Sequence, residues 1–370
     1  MTKAAELAKM GEVLTNSQIG GKRNMIINGG MNVFQRSTSA TDLGASSGYF
    51  SADRFRIFSV GTAGRVTMSQ SSDTPNGFGN SLKIDVTTAD TSIASDELFI
   101  LSYAMEGQDA QMIKKGTSEA ESLTMSFYAK ANASANYVVE MYDQDNTRNN
   151  TQAFTVTSSW QRFSFTFAPD TSGALDDDNA LSFYPIQIWL HGGSNYSSGT
   201  FASNTWGSVT NANRYAGSRT SIFDSTDREF FITGVQVEVG SQATPFEHRS
   251  FGEELALCQR YFYRWKTDGE AYSNLCIGGC TSTTKARGVA QFPQTMRSNA
   301  SLSSSGTFRI VSMGSGNVGT SITVSINRGH TLQPYIQFER SGGSSLTAGQ
   351  TAEMGANNDT DAVIDFSAEL

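Results

Sequence analysis

The chain is poor in the residues from which most catalytic and metal sites are built. Its 370 residues include three cysteines, three histidines and six prolines, and only 17% are charged. Cysteines this sparse and odd in number do not form a disulfide scaffold. Cys276 and Cys280 make a C-x-x-x-C pair, but only His330 follows them. A four-ligand zinc site is therefore poorly supplied, and packed or partly exposed thiols are expected. The other histidines are His191 and His248, and there is no G-x-S-x-G elbow, phosphate-binding loop or H-E-x-x-H pattern. No local signature of nucleophilic or metal-assisted hydrolysis is present. No apolar run reaches the length of a membrane-spanning helix, and the opening MTKAAELAKMGEVL lacks the apolar stretch of an export signal. A formal net charge of −8 argues against a nucleic-acid partner, because neutralising phosphates needs a basic surface.

What is abundant is glycine, at 35 residues, with Ser, Thr, Asn and Asp throughout; 38% of residues are hydrophobic and 11% aromatic. That mixture suits short strands joined by polar turns around a real core. Period-2 alternation runs through YFSADRFRIFSV, RVTMSQS, SLKIDVTT, SLTMSFYAKA, NYVVEMYDQ, QAFTVTSSWQRFSFTFA, LSFYPIQIWLHG and EFFITGVQVEVG. The stretch RNMIINGGMNVFQRS reads as two apolar runs about a glycine turn. Around ten antiparallel strands over 25–250 fit a mainly β, jelly-roll sandwich. Amphipathic helices between strands, which a parallel α/β sheet requires, are missing. NLCIGGC, KARGVAQF, ASLSSSGTFRIVSM, TSITVSIN, LQPYIQFERS and DAVIDFSAEL predict a smaller second β domain over 266–370.

Two helices are expected. Residues 3–14 favour helix, with Ala4, Leu7, Met10 and Leu14 along one face, followed by the polar linker TNSQIGGKRN. A lone helix this short is marginal in water, so it docks on something. Either it packs on its own protein or Leu7, Met10 and Leu14 anchor the chain to a partner. A linking helix is expected over 251–265, with Leu255, Cys258, Phe262 and Trp265 as its apolar stripe, packing between domains or between subunits. Glu253 and Glu254 in its first turn and Arg260 and Arg264 near its end suit the helix dipole.

Chemistry is sparse. Glu140, Asp143, Asp145 and Glu238 lie on or beside expected strands and are compositionally able to serve a glycosidase, although strand-borne acids are more often solvated or structural. Asp176, Asp177, Asp178 and Asn179 form an oxygen-rich run that reads as a solvated turn, or less readily as a calcium site; no other cofactor is expected. The polar stretch from His191 to Ser221 is too long for a plain turn, and such loops are usually functional or disordered. Its aromatics argue against disorder. Tyr196, Phe201, Trp206 and Tyr215 offer flat apolar faces for sugar rings, with Arg214 and neighbouring asparagines as hydrogen-bonding partners for hydroxyls. The competing reading is that they plug the loop. Either way the chain is expected to be non-enzymatic.

Three motifs in combination suggest a family. GEVLTNSQIGGKRNMIINGGMNVFQRS, then YFSADRF, then ITGVQVEVGSQATPFEHRS with EELALCQRYFYR resemble tail-fibre or appendage structural proteins of marine and cyanobacterial tailed bacteriophages. The resemblance runs from about Gly11 to Arg264. It implies a virion-attachment segment over 1–24, a jelly roll similar to carbohydrate-binding modules over 25–250, and a small C-terminal β domain that helps the chain form a homotrimer. It further implies other virion proteins as partners, host-surface polysaccharide as a ligand, assembly in the host cytoplasm and residence on the tail or head of the particle. The chain has no repetitive shaft and no heptad run. A capsid decoration or cement protein without a ligand, and a glycan-degrading tailspike, are the alternatives.

Overall fold

The computed structural model describes residues 3–4, 23–175, 183–313, 316–318, 321–341 and 345–370. The expectations for Leu7, Met10 and Leu14, and for the acidic run Asp176 to Asn179, lie outside the described residues. Two compact units divide the chain: Met1–Glu254 with Leu370, and Leu255–Glu369.

Among the described residues the first unit has thirteen strands. They are β1 (Ser39–Leu43), β2 (Gly48–Tyr49), β3 (Phe55–Val60), β4 (Arg65–Ser71), β5 (Ser81–Thr88), β6 (Leu98–Glu106) and β7 (Leu123–Ala131). There follow β8 (Ala135–Asp143), β9 (Arg148–Val156), β10 (Gln161–Phe167), β11 (Phe183–Gly192), β12 (Gly207–Ser208) and β13 (Glu229–Val239). One sheet has the order β1-β4-β5-β13-β7-β10 and the other β12-β9-β8-β11-β6-β3-β2. The chain crosses repeatedly between the sheets, with β2–β3, β4–β5 and β8–β9 as hairpins within one sheet, making the mainly β, jelly-roll sandwich that the alternation implied.

Alternate side chains of both sheets fill one core, in which Phe55, Ile57, Ile84, Phe127, Tyr137, Phe154 and Phe230 are buried. The longest alternating segments became strands as expected. β6 was not among them, because LFILSYAME does not alternate: all nine of its residues are buried. Phe99, Leu101, Tyr103 and Met105 face the core, and the intervening residues are covered from the other side. A strand buried on both faces reads as a continuous apolar run.

The stretch RNMIINGGMNVFQRS is not a pair of strands. It forms turns in which Asn28 and Met31 adopt positive φ, and it docks on the far end of the same unit. The Asn24 carboxamide donates to Val235 O at 3.1 Å and accepts from Val237 N–H at 3.1 Å. Asn28 Nδ2 donates to Val33 O and Asp53 O, while Asn28 N–H donates to the Glu254 carboxylate. Arg249 donates to Ile26 O at 3.0 Å, to Asn24 O and to Glu254. Gly29 is required because a Cβ there would stand 2.0 Å from Val235 O. Residues 24–33, Asp53, Val235, Val237, Arg249 and Glu254 thus meet in one hydrogen-bonded latch. A buried donor or acceptor stripped of its partner costs about 1–3 kcal/mol, so each of these polar residues depends on the others.

The linking helix is shorter than its stripe suggested. It spans Phe251–Gln259, and Phe262–Lys266 is a strand, β14. Arg297 N–H and Ala368 N–H take the Arg260 and Tyr261 carbonyls, and Phe262 to Lys266 pair with the last strand. Leu255 and Cys258 are therefore helical, whereas Phe262 and Trp265 are not; Trp265 packs on the core of the second unit. The spacing of Leu255, Cys258, Phe262 and Trp265, at intervals of three, four and three, suits a helix, but the carbonyls of Arg260 and Tyr261 take partners outside it.

The second unit continues with β15 (Asn274–Cys280), β16 (Lys285–Val289), β17 (Ser301–Ser305), β18 (Phe308–Ser312), β19 (Gly316–Val318), β20 (Ile322–Arg328), β21 (Tyr335–Arg340), β22 (Thr351–Ala356) and β23 (Val363–Ser367). A small sheet β14-β23-β17 and a seven-stranded sheet β19-β18-β22-β15-β16-β21-β20 bury Phe308, Ile310, Ile336, Phe338, Met354, Ile364 and Phe366. Cys276 and Cys280 are buried free thiols, and burial pushes the Cys276 thiol up to about 12.

Candidate ligand-binding face

The outer face of the seven-stranded sheet in the first unit carries polar side chains in cross-strand register. Arg56 stands opposite Ser102, Ser102 opposite Gln187, Gln187 opposite Glu140, and Glu140 opposite Thr151. Residues in direct register share a face, so these five form one row across five strands. The next row is apolar, with Phe58, Ile100, Trp189 and Val138.

Residues 193–221 lie over that apolar row. Trp189, Tyr215, Leu98, Ile100 and Val138 form a separate buried cluster, with Phe58, Tyr196 and Phe201 packed against it. The loop holds its shape through Tyr215 N–H to Tyr196 O at 2.8 Å, Gly199 N–H to Ala212 O at 2.8 Å, and Thr200 N–H to Asn213 Oδ1 at 2.9 Å. Gly199 lets those turns meet, since a Cβ would fall 2.0 Å from Asn213 Oδ1.

Four of the five expected ligand residues are brought to this face, and two of them, Tyr215 and Arg214, are committed within the protein. Tyr215 is 2% exposed, stacks on Trp189 with 6.0 Å between centroids, and donates its hydroxyl to Thr220 O at 2.7 Å. Burial holds its phenol well above the usual range. It has no ring face to offer a sugar, which corrects the sequence expectation. Arg214 is likewise committed. Its Nε meets Glu140 Oε1 at 2.9 Å, and its Nη2 meets Glu140 Oε2 at 2.8 Å and Gln187 Oε1 at 3.0 Å. The guanidinium lies 4.7 Å from the Trp189 ring centroid. Tyr196 is half-buried against Trp189, and half-buried Phe201 lies under the Arg219 guanidinium at 4.3 Å. Trp206 stands apart: its Nε1 donates to Ala168 O at 2.7 Å and its ring packs on the main core, near Lys115.

Glu140 is the residue that sequence reasoning undervalued. Its side chain is fully buried and accepts from Arg214, from Trp189 Nε1 at 2.6 Å and from Asn149 Nδ2 at 2.6 Å. With those lone pairs filled, it acts as a clamp for the loop, not as an acid awaiting a substrate. The signal was present in NYVVEMYDQ: a carboxylate at the centre of an apolar strand demands a cation. Glu238 is also spent internally, on Thr244 and Gln236. Asp143 is buried with Lys115.

Ser221, His191 and Glu97 fall in line, with Oγ 2.7 Å from Nδ1 and Nε2 3.2 Å from the carboxylate. His191 is fully buried against Phe223, and Ser221 Oγ already accepts Phe223 N–H at 3.0 Å. The array ties β11 to the turn that follows the loop. Burial lowers the imidazole's affinity for a proton, opposed by the Glu97 hydrogen bond. Among the described residues no group of three His, Cys, Asp or Glu is placed to hold a metal ion.

Beside the clamp, β9, β12 and the loop enclose a cleft of about 100 Å³ lined by Asn149, Thr151, Ala202, Thr205, Gly207, Ser208, Thr210 and Asn213. The lining is neutral throughout and rich in hydroxyls and carboxamides.

No family model matches this chain, and no curated protein matches it. Solved structures do. A structure titled "CBM4 structure and function" is 15% identical, with a TM-score of 0.30, covering 57% of this chain and 97% of that one. The family 11 carbohydrate-binding module of Clostridium thermocellum, solved with a β-1,3-1,4-mixed-linked tetrasaccharide, is 15% identical, with a TM-score of 0.27, covering 56% and 98%. The enzymatically active domain of tailspike protein 4 of bacteriophage CBA120 is 12% identical, with a TM-score of 0.30, covering 58% of this chain and 21% of that one.

Proposed function

We propose that the chain is a non-enzymatic appendage protein of a tailed-phage particle. Residues 1–24 attach it, and the first unit recognises a neutral host-surface glycan. The observation that carries the glycan reading is the cleft beside the Glu140–Arg214 clamp. Its lining supplies hydroxyls from Thr151, Thr205, Ser208 and Thr210 and carboxamides from Asn149 and Asn213, with no charged side chain. Neutral donors and acceptors at close spacing match the hydroxyls of a sugar, and they leave an anionic ligand without a counter-charge. The clamp holds the cleft wall rigid, which lowers the ordering cost of binding. Attachment to a particle rests on the motif resemblance; many copies there would multiply weak single sites by avidity of about a hundredfold or more.

The test is binding of the purified chain to a glycan array and to host-cell polysaccharide, for the native protein and for Thr205→Val with Thr210→Val. Loss of about tenfold or more in affinity, one conventional hydrogen-bond increment or two, is expected with unchanged thermal stability. Equal binding by both proteins would overturn the assignment of the cleft. A particle made with the chain lacking residues 1–20 should lose the protein, and incorporation at normal copy number would refute attachment through that segment.

A further inference from the structure

The second unit carries an unusual row on the outer face of its seven-stranded sheet. Glu353 stands opposite Ile277, and Val289 opposite Tyr335, which in turn stands opposite Arg328. Ile277 and Val289 are neighbours one position beyond the Gly278–Gly288 pair. Reading across β22, β15, β16, β21 and β20, the row is Glu353, Ile277, Val289, Tyr335, Arg328; beyond Glu353 the register continues to Val311 on β18 and Asn317 on β19. Its neighbours along each strand, including Cys276, Ile336 and Met354, point into the core, so this row points out. Ile277 is 65% exposed, Tyr335 47% and Val289 39%, and Glu353 and Arg328 are both exposed. Large apolar side chains at these levels, side by side on one sheet face, mark an interaction surface.

We infer that this face pairs with a second copy of the same chain about a two-fold axis. The argument is charge complementarity. Over these five strands the row is antisymmetric about Val289: an acid two strands to one side, a base two strands to the other, and apolar residues between; Val311 and Asn317 overhang beyond Glu353. An axis lying between two facing sheets, parallel to the strands and passing over Val289, reverses the order of the row in the partner. Each Glu353 then meets Arg328 of the second copy, each Ile277 meets Tyr335, and Val289 meets itself. A closed, self-complementary contact of this kind is isologous. A threefold arrangement would not oppose Glu353 to Arg328. With strands about 4.8 Å apart the row spans about 19 Å, so the patch is at the small end of stable interfaces and the affinity is modest.

The experiment is analytical ultracentrifugation of the full-length chain over a concentration series. The native protein is expected to show a monomer–dimer equilibrium. Glu353→Arg alone and Arg328→Glu alone each place like charges together twice in the dimer, and each should weaken association by about tenfold or more. Glu353→Arg combined with Arg328→Glu restores both pairs and should return the dissociation constant to within about threefold of native. Val289→Arg should abolish the dimer with thermal stability retained, because the side chain is at the surface. A monomer at every concentration, a trimer indifferent to these changes, or failure of the double reversal to restore pairing would each overturn the inference.

Discussion

Replacing Arg214 by alanine should destabilise the first unit through the charge it leaves behind. Arg214 is 11% exposed at its side chain and Glu140 0%, so their ion pair sits in a dry setting. Removing one member of such a pair typically costs about 3–5 kcal/mol. Here Glu140 keeps two donors, from Trp189 and Asn149, which places the expected loss near the lower end, at about 3 kcal/mol. For a unit of this size that corresponds to a fall of about 6–12 °C in the melting temperature of its transition. The companion variant, Glu140→Gln with Arg214→Met, removes the charge and keeps volume; it should recover all but about 1.5 kcal/mol. Differential scanning calorimetry and urea titration of all three proteins decide the matter. A loss under about 1 kcal/mol for Arg214→Ala, or a double variant as damaged as the single one, would refute the clamp.

Two further outcomes follow from other parts of the first unit. Because burial depresses the His191 pKa, the unfolded chain binds that proton more readily; stability present above the ordinary value of about 6.5 is lost as pH falls below it. His191→Gln should flatten the pH 5–7 part of the stability profile in urea titrations, and an unchanged slope would show that the imidazole does not titrate differently on folding. Gly29→Ala should cost about 2 kcal/mol or more by denaturant midpoint, because the new methyl meets Val235 O at 2.0 Å; a neutral effect would mean that the latch yields easily.

Most of the fold was legible wherever one face of a strand is buried and the other is wet. β3, β4 and β5 alternate and were read correctly; β6 was passed over because residues 193–221 cover its second face, which leaves no alternation to read. The helix from Phe251 was legible in its start but not in its end, since the competing partner for Phe262 to Lys266 lies about a hundred residues later. Within the candidate site, the loop was recognisable as ordered from its aromatics. Which of them face a ligand was not, because Tyr215 and Arg214 are consumed by Trp189 and Glu140, residues from other strands.

The amino-acid sequence alone determined the class of this protein: a mainly β chain of two parts, with an aromatic-rich polar loop. Local periodicity and composition carry that information, since they depend on each residue and its near neighbours. Tertiary structure decided which polar residues are free to act. Glu140 became a clamp instead of an acid, Tyr215 a core residue instead of a platform, and Asn28 and Arg249 parts of a latch. Each change of role arises from a partner 25 to 226 positions away, and in a low-dielectric interior a charge or carboxamide must take whatever partner the fold delivers.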